Sequence, residues 1–308
     1  MPKDVAYIFP GQGSQYVGMG KELYLASVAA REVFDKADKL LNNELKRICF
    51  SGPEELLKLT TNCQPAILTL SIACLKSLLV HPKSKNINVR FTAGLSLGEY
   101  SALVAAGALN FEEAITLVKQ RAEIMEEEAL THPGEMAAII GLEIELVKKI
   151  CKDTGAEVAN LNAPGQAVIS GPTGNVDRAM EMAKDEGAKA VVALEVSGAF
   201  HSSLMQGAAL RFSEVLKTAN ISAPKIPVIA NVNALPETDS AQIRQNLTKQ
   251  VDSSVLWEDS IRYIVSQGVN TFLEIGPGKV LKGLLRRIDP SLIVYNIEKP
   301  ADINTLPF

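Results

Sequence analysis

The chain has 308 residues, 47% of them hydrophobic and 21% charged, with a formal net charge of -4. That length suits one large α/β domain, or a large domain carrying a smaller one. The mild acidity gives no global case for nucleic acid or an anionic membrane as partner, and no apolar run is expected to reach the ~20 residues of a membrane helix.

The opening "MPKDVAYIF" places Asp4 where a signal peptide needs an apolar core, so no secretion is expected. "DVAYIFPGQG" reads as a buried strand that stops at Pro10 and Gly11. The loop "FPGQGSQ" lacks the Gly-Lys-Ser/Thr ending of a phosphate loop and the full spacing of a dinucleotide fold. At the end of a strand it suits a different role, in which the backbone N–H of Gln12 faces an oxyanion. "QPAILTLSIACLKSLL" reads as a mostly buried helix with Pro65 in its first turn. The cysteines at 49, 63, 74 and 151 form no CxxC pair and have no histidines near them. They read as buried and reduced, which suits a cytoplasmic protein.

"VRFTAGLSLGEYSALVAAGAL" reads as strand, sharp turn, helix. Gly-x-Ser-x-Gly in that setting is the nucleophile-elbow pattern. It projects the Ser96 hydroxyl near a helix N-terminus and makes the N–H of Leu97 an oxyanion donor. Glu99, in the first turn, reads more simply as a carboxylate favoured by the helix dipole. The next helix, "FEEAITLVKQRAEIMEEEAL", has an apolar stripe through positions 114, 118, 121 and 125, and position 121 is arginine. A guanidinium on such a face needs an anion. A structural carboxylate and a bound carboxylate ligand both satisfy that need.

Residues 132–197 change rhythm. "EMAAIIGL", "EIELVKKICKD", "EVANLNAP", "QAVISGP", "NVDRAMEMAKDEG" and "AKAVVALEVSG" read in order as βαββαβ, a ferredoxin-like insertion. The larger unit then comprises residues 1–131 and 198–308. Its chain resumes at "SGAFHSSLM", with His201 at a strand-to-helix junction of the kind where open α/β sheets build sites. His81 and His132 each precede a proline in connecting segments, which leaves His201 as the base for Ser96. No acid stands out as the third member of a triad, so a backbone carbonyl is left to hold the imidazole tautomer. "PVIANV" reads as a strand, "DSSVLWEDSIRYIVSQG" as a helix, and "VNTFLEIGPGKVLKGLLRR" as strand, glycine turn, helix. Strands alternating with helices predict an α/β fold with a parallel sheet covered on both faces.

Seven stretches in this order resemble the malonyl-CoA:acyl carrier protein transacylase family of acyltransferases: "FPGQGSQ", "TNCQPAIL", "GLSLGEYSALVAAGAL", "QRAEIM", "NLNAPGQAVISG", "GAFHSSLM" and "EIGPGKVL". The resemblance implies a hydrolase-like large domain with a ferredoxin-like subdomain. It makes Ser96 the nucleophile, His201 its base, and the N–H groups of Gln12 and Leu97 the oxyanion hole. It assigns Arg121 to the malonyl carboxylate in place of a salt bridge, sets Gln64 beside it, and lets the backbone carbonyl of Gln250 orient the histidine. Phe200, just before the histidine, goes with malonyl preference in related polyketide acyltransferases. Many members carry histidine where this chain has Leu95, which removes one polar contact. The implied partners are malonyl-CoA and a holo acyl carrier protein, for fatty acid synthesis, with no metal or redox cofactor and a monomeric enzyme. Lys279, Lys282, Arg286 and Arg287 on the C-terminal helix read either as a solvated helix face or as a docking patch for an acidic carrier protein. The rivals are a polyketide loading enzyme, a serine thioesterase or hydrolase, and a non-catalytic scaffold.

Overall fold

The computed structural model describes residues 2–308. The first strand is a run with no polar break, Val5 to Phe9, and the structure shows why. In β1 (Lys3–Phe9), Val5, Tyr7 and Phe9 enter one hydrophobic core while Ala6 and Ile8 enter another. Alternate side chains point to opposite faces, so a strand buried on both needs apolar residues throughout.

Six strands form the larger sheet, in the order β10-β9-β1-β2-β7-β8. Here β2 is Ile87–Gly94, β7 Val228–Ile229, β8 Pro236–Glu237, β9 Thr271–Ile275 and β10 Ile293–Ile297. All neighbours are parallel except β7 and β8. The chain runs outward through β2 and β7 on one side of β1 and through β9 and β10 on the other. Strand order therefore reverses beside β1, and a crevice opens at the carboxyl ends there. The α/β expectation holds, with a mixed sheet in place of a purely parallel one.

A second sheet, order β4-β5-β3-β6, is antiparallel throughout. Its strands are β3 (Glu135–Ile140), β4 (Glu157–Ala163), β5 (Gln166–Gly171) and β6 (Ala190–Ala193). Ala137, Ile139, Ala167 and Ile169 pack under the helices Ile144–Thr154 and Thr173–Asp185 as a separate core. The opposite face, with Met136 and Val168, turns toward the larger unit and joins its core.

Several elements differ from expectation. The helix containing Pro65 spans Thr60–Val80, so the proline lies inside it and not in its first turn. At 21 residues this helix is also long and apolar enough to cross a membrane, contrary to the expectation that no run would be. Its most apolar window is 83% buried, which is the behaviour of a central core helix. The strand in "PVIANV" is only two residues long: Ala230 N–H bonds the Leu235 carbonyl in a turn, and Asn231 is diverted from the ladder. β8, β10 and the helix Ser240–Gln250 had no counterpart in the sequence reading.

Candidate active site

The turn after β2 leaves no room for a side chain two residues before or two residues after its serine. A Cβ on Gly94 would lie 1.9 Å from the Gly98 carbonyl carbon, and one on Gly98 would lie 2.2 Å from the Phe9 carbonyl oxygen. Glycine at both places lets the following helix, Gly98–Ala105, press against β1 and β2. Ser96 itself takes φ of 50°, a left-handed conformation that costs an L-residue energy and persists only where surroundings impose it. One such constraint is visible. Ser96 N–H donates to Asn231 Oδ1 at 2.6 Å, and Asn231 Nδ2 returns a bond to the Gly94 carbonyl at 2.7 Å.

Ser96 Oγ lies 2.8 Å from His201 Nε2. The other ring nitrogen, Nδ1, lies 2.7 Å from the backbone carbonyl of Gln250. That carbonyl ends the helix Ser240–Gln250, where backbone oxygens have no partner within the helix. An acceptor there requires Nδ1 to carry the proton, which leaves Nε2 as an acceptor aimed at the serine hydroxyl. His201 also has a left-handed φ, 59°. Burial, and then the charge of Arg121, push its pKa down to about 4, so the imidazole is neutral at physiological pH.

Arg121 is 1% exposed and finds only neutral partners. Its Nη1 donates to Gln64 Oε1 at 2.8 Å, and its Nη2 to Gln250 Oε1 at 3.0 Å and Ser96 Oγ at 3.2 Å. Its guanidinium carbon sits 5.6 Å from the centre of the Tyr100 ring. Among the described residues no carboxylate pairs with it, and its Nε has no acceptor. Amide oxygens orient a guanidinium without cancelling its charge, and Glu99, whose charge is felt from beyond ion-pair distance, offsets it only in part, so a buried cation without a direct counter-ion faces the site.

Gln64, Ser96, Arg121, Phe200 and His201 line one cavity of about 460 Å³, together with Gln12 and Leu97. Among the described residues, the backbone N–H groups of Gln12 and Leu97 donate to no protein acceptor. They are therefore free to serve a ligand. Gln250 meets the site through both its carbonyl and its side chain. His81 and His132 lie elsewhere: His81 Nδ1 accepts from Lys83 N–H, and His132 faces Glu128 at 3.1 Å.

Other participants had no role assigned from the sequence, although several fall within "NLNAPGQAVISG" and "EIGPGKVL". Asn231 holds the serine turn. Asn160, Asn162, Gln166, Met136 and Val168 form the cavity wall contributed by the small sheet. Val280 and Leu284 close another side. Their helix is anchored by Glu274 on β9, whose carboxylate accepts from Leu281 and Lys282 N–H, each at 2.9 Å. Glu99 departs from its simple reading: it is fully buried and bonded to Asn231 and Gln250, where a dipole-favoured carboxylate would face solvent.

The model of the acyl transferase domain family matches residues 6–289. Malonyl CoA-acyl carrier protein transacylase of Bacillus subtilis (strain 168) is 47% identical over 304 residues, covering 97% of this chain and 95% of its own. The crystal structure of acyl-carrier-protein-S-malonyltransferase from Bartonella henselae superimposes with a TM-score of 0.93 at 42% identity, over 98% of each chain. A malonyl-transacylase solved in complex with its type II PKS acyl-carrier protein gives a TM-score of 0.94 at 37% identity, again over 98% of each chain. A family match over nearly the whole length, and relatives this similar across both sheets, mean that the chain belongs to the acyltransferase family that includes the malonyl CoA-acyl carrier protein transacylases.

Proposed function

We propose that the chain transfers the malonyl group of malonyl-CoA to the phosphopantetheine thiol of a holo acyl carrier protein, through a malonyl ester on Ser96, for fatty acid synthesis. The observation that carries this reading is the buried Arg121 guanidinium, with no ion-pair partner among the described residues, 3.2 Å from the same Ser96 oxygen that lies 2.8 Å from His201 Nε2. A malonyl group has its carbonyl and its carboxylate one methylene apart. It can meet the serine and the cation at once.

In the first half-reaction Ser96 Oγ attacks the thioester carbonyl while Nε2 of His201 takes its proton. The tetrahedral oxyanion accepts from the N–H groups of Gln12 and Leu97; one such donor typically contributes about 10²–10³ in rate. The C–S bond then breaks, and coenzyme A leaves with the proton from Nε2. In the second half the carrier thiol gives its proton to Nε2 and attacks the ester, and Ser96 regains a proton as it departs. The base shuttles one proton throughout, so the chemistry calls for no metal or cofactor. A neutral imidazole is needed at the start, in keeping with its buried setting.

Arg121 selects by charge. An acetyl group would leave the guanidinium without a partner, and sites with an unmet buried polar group discriminate strongly. Gln64 keeps the guanidinium oriented, the Gln250 carbonyl keeps the imidazole oriented, and Phe200 limits the space beside the malonyl methylene. The large unit, 1–131 and 198–308, is a hydrolase-like catalytic domain. Residues 132–197 are a ferredoxin-like subdomain, supported by their βαββαβ order and the strand arrangement β4-β5-β3-β6. Four unpaired buried cysteines suit a cytoplasmic setting. A site built wholly from one chain suits a monomer.

The relative solved with a type II PKS carrier protein favours a second reading, malonyl loading for polyketide synthesis. Transfer assays with purified holo carrier proteins of both kinds test these readings. Malonyl on the carrier thiol, formed much faster than free malonate, supports a transferase. Free malonate as the main product would mean a hydrolase.

A further inference from the structure

Glu99 is 0% exposed, three residues beyond Ser96, and forms no salt bridge among the described residues. Its Oε2 accepts two hydrogen bonds, from Asn231 N–H at 2.8 Å and from Gln250 Nε2 at 3.0 Å. The same Nε2 donates to the Ser96 carbonyl at 3.1 Å, while Gln250 Oε1 accepts from Arg121 Nη2 at 3.0 Å. A side-chain amide can turn over and exchange its oxygen and nitrogen. Turned over, Gln250 would set a donor against the guanidinium and an acceptor against both Glu99 and the Ser96 carbonyl. All three contacts would fail together, along with a longer one from Nε2 to Asn231 Oδ1 at 3.4 Å. Glu99 is the only carboxylate bonded to that amide among the described residues; burial pushes its pKa up to about 7, and in its ionised form it receives the stronger, charge-assisted bond.

We propose that Glu99 is a positioning residue for malonyl selectivity: its carboxylate oxygen holds the Gln250 amide so that Oε1 faces Arg121 and aims the guanidinium at the acyl carboxylate. The role rests on the functional reading above and deepens it. Glu99 touches neither substrate nor reacting atoms. It acts on selectivity by way of Gln250, whose backbone carbonyl at His201 does not depend on which way the amide points; the other bond to Glu99, from Asn231 N–H, steadies the residue that holds the Ser96 turn, and Ser96 reactivity reports that route separately. Loss of the Glu99 acceptor therefore weakens the grip on malonyl more than it weakens the Ser96–His201 pair.

The test is the ratio of malonyl to acetyl transfer in Glu99→Gln, Glu99→Leu and Gln250→Met. Glu99→Gln keeps an acceptor oxygen and nearly the same volume, and its ratio stays within about threefold of the native one. Glu99→Leu removes the acceptor and lowers the ratio by about ten- to a hundredfold, the loss expected for a hydrogen bond to a charged group. The drop lies mainly in KM for malonyl-CoA, while Ser96 keeps its reactivity toward a neutral sulfonyl fluoride. Gln250→Met, which does not rely on Glu99→Leu folding, gives a similar drop. Equal loss of malonyl and acetyl transfer in Glu99→Leu would overturn the role, as would a Glu99→Gln variant as damaged as Glu99→Leu, or an unchanged ratio in Gln250→Met. Native protein that transfers no malonyl sinks both readings. Native transfer with unchanged variant ratios sinks only this one.

Discussion

The two walls of the cleft are built on different principles. On the large-sheet wall, Ser96, Arg121, His201 and Gln250 bond to one another and to Asn231, Gln64 and Glu99, almost all of them buried. On the small-sheet wall, Met136, Ala138, Asn160, Asn162, Gln166 and Val168 line the same cavity. Asn162 Oδ1 there is buried with no protein partner. One wall has most of its side-chain polar groups committed to each other, leaving Arg121 Nε and the Gln12 and Leu97 N–H groups open, and the other keeps amides in reserve. Reacting groups gain from fixed geometry because nothing then reorganises during the reaction. A wall that receives first coenzyme A and then a carrier arm gains from unspent hydrogen-bonding capacity.

The sharpest way to break this contrast is to remove the reacting pair. Ser96→Ala and His201→Ala each lower malonyl transfer by about 10⁴-fold or more, with the melting temperature of Ser96→Ala near native. A residual rate within tenfold of native in either variant would remove the fixed wall from the chemistry. Arg121→Ala comes next. It loses about 10² or more in malonyl transfer, from two charge-assisted bonds, and much less in acetyl transfer. Unchanged malonyl:acetyl selectivity would contradict its role.

The pH profile probes the same wall without changing its shape. Burial, then the Arg121 charge, depress the His201 pKa from 6.5 to about 4. The acid limb of kcat/KM then lies near pH 4, and replacing Arg121 moves it upward. The linkage has a defined sign. Between about pH 6.5 and 4 the unfolded chain takes up a proton that the folded chain refuses, so this histidine's contribution to stability is present above 6.5 and is lost as pH falls through that window. An acid limb at 6.5 in the native protein would mean that His201 is hydrated during turnover.

The receiving wall should respond more gently. Asn162→Ala raises KM for malonyl-CoA several-fold and leaves kcat within about twofold, as expected for a binding contact shared by ground and transition states. A kcat collapse would place Asn162 with the fixed wall. The smallest effect concerns docking. Lys279, Arg286 and Arg287 are exposed at or within the helix Val280–Ile288, whose Val280 and Leu284 border the cavity. Charge reversal at Arg286 and Arg287 slows transfer to carrier protein about two- to tenfold at low salt, an effect that fades as salt is added. Formation of acyl-Ser96 stays unaffected.

The sequence disclosed the two walls unequally, for a physical reason. Ser96 lies in a local pattern whose glycines are dictated by contacts within five residues and by β1. His201 stood out because the chain has only three histidines, and Arg121 because it interrupts an apolar stripe. Gln12 followed from its loop at the end of the first strand, while Gln64, Phe200 and the Gln250 carbonyl came through family resemblance, and the structure brings all of them to the site. Asn231, Glu99 and the Gln250 side chain acquire meaning only through partners more than a hundred residues away. No spacing rule carries that information. The same limit applies to the fold. β1, β2 and, apart from its shortness, β7 announce themselves by composition, whereas the two-residue β8 exists only because β7 holds it.

Mass spectrometry of the native chain mixed with malonyl-CoA, with peptide mapping before and after adding holo acyl carrier protein, tests the central claim most directly. The account predicts one malonyl group on the Ser96 peptide, removed by the carrier thiol much faster than by water. A native chain that stays unmodified, or one that carries malonyl at another residue while Ser96→Ala still transfers it, would contradict the account.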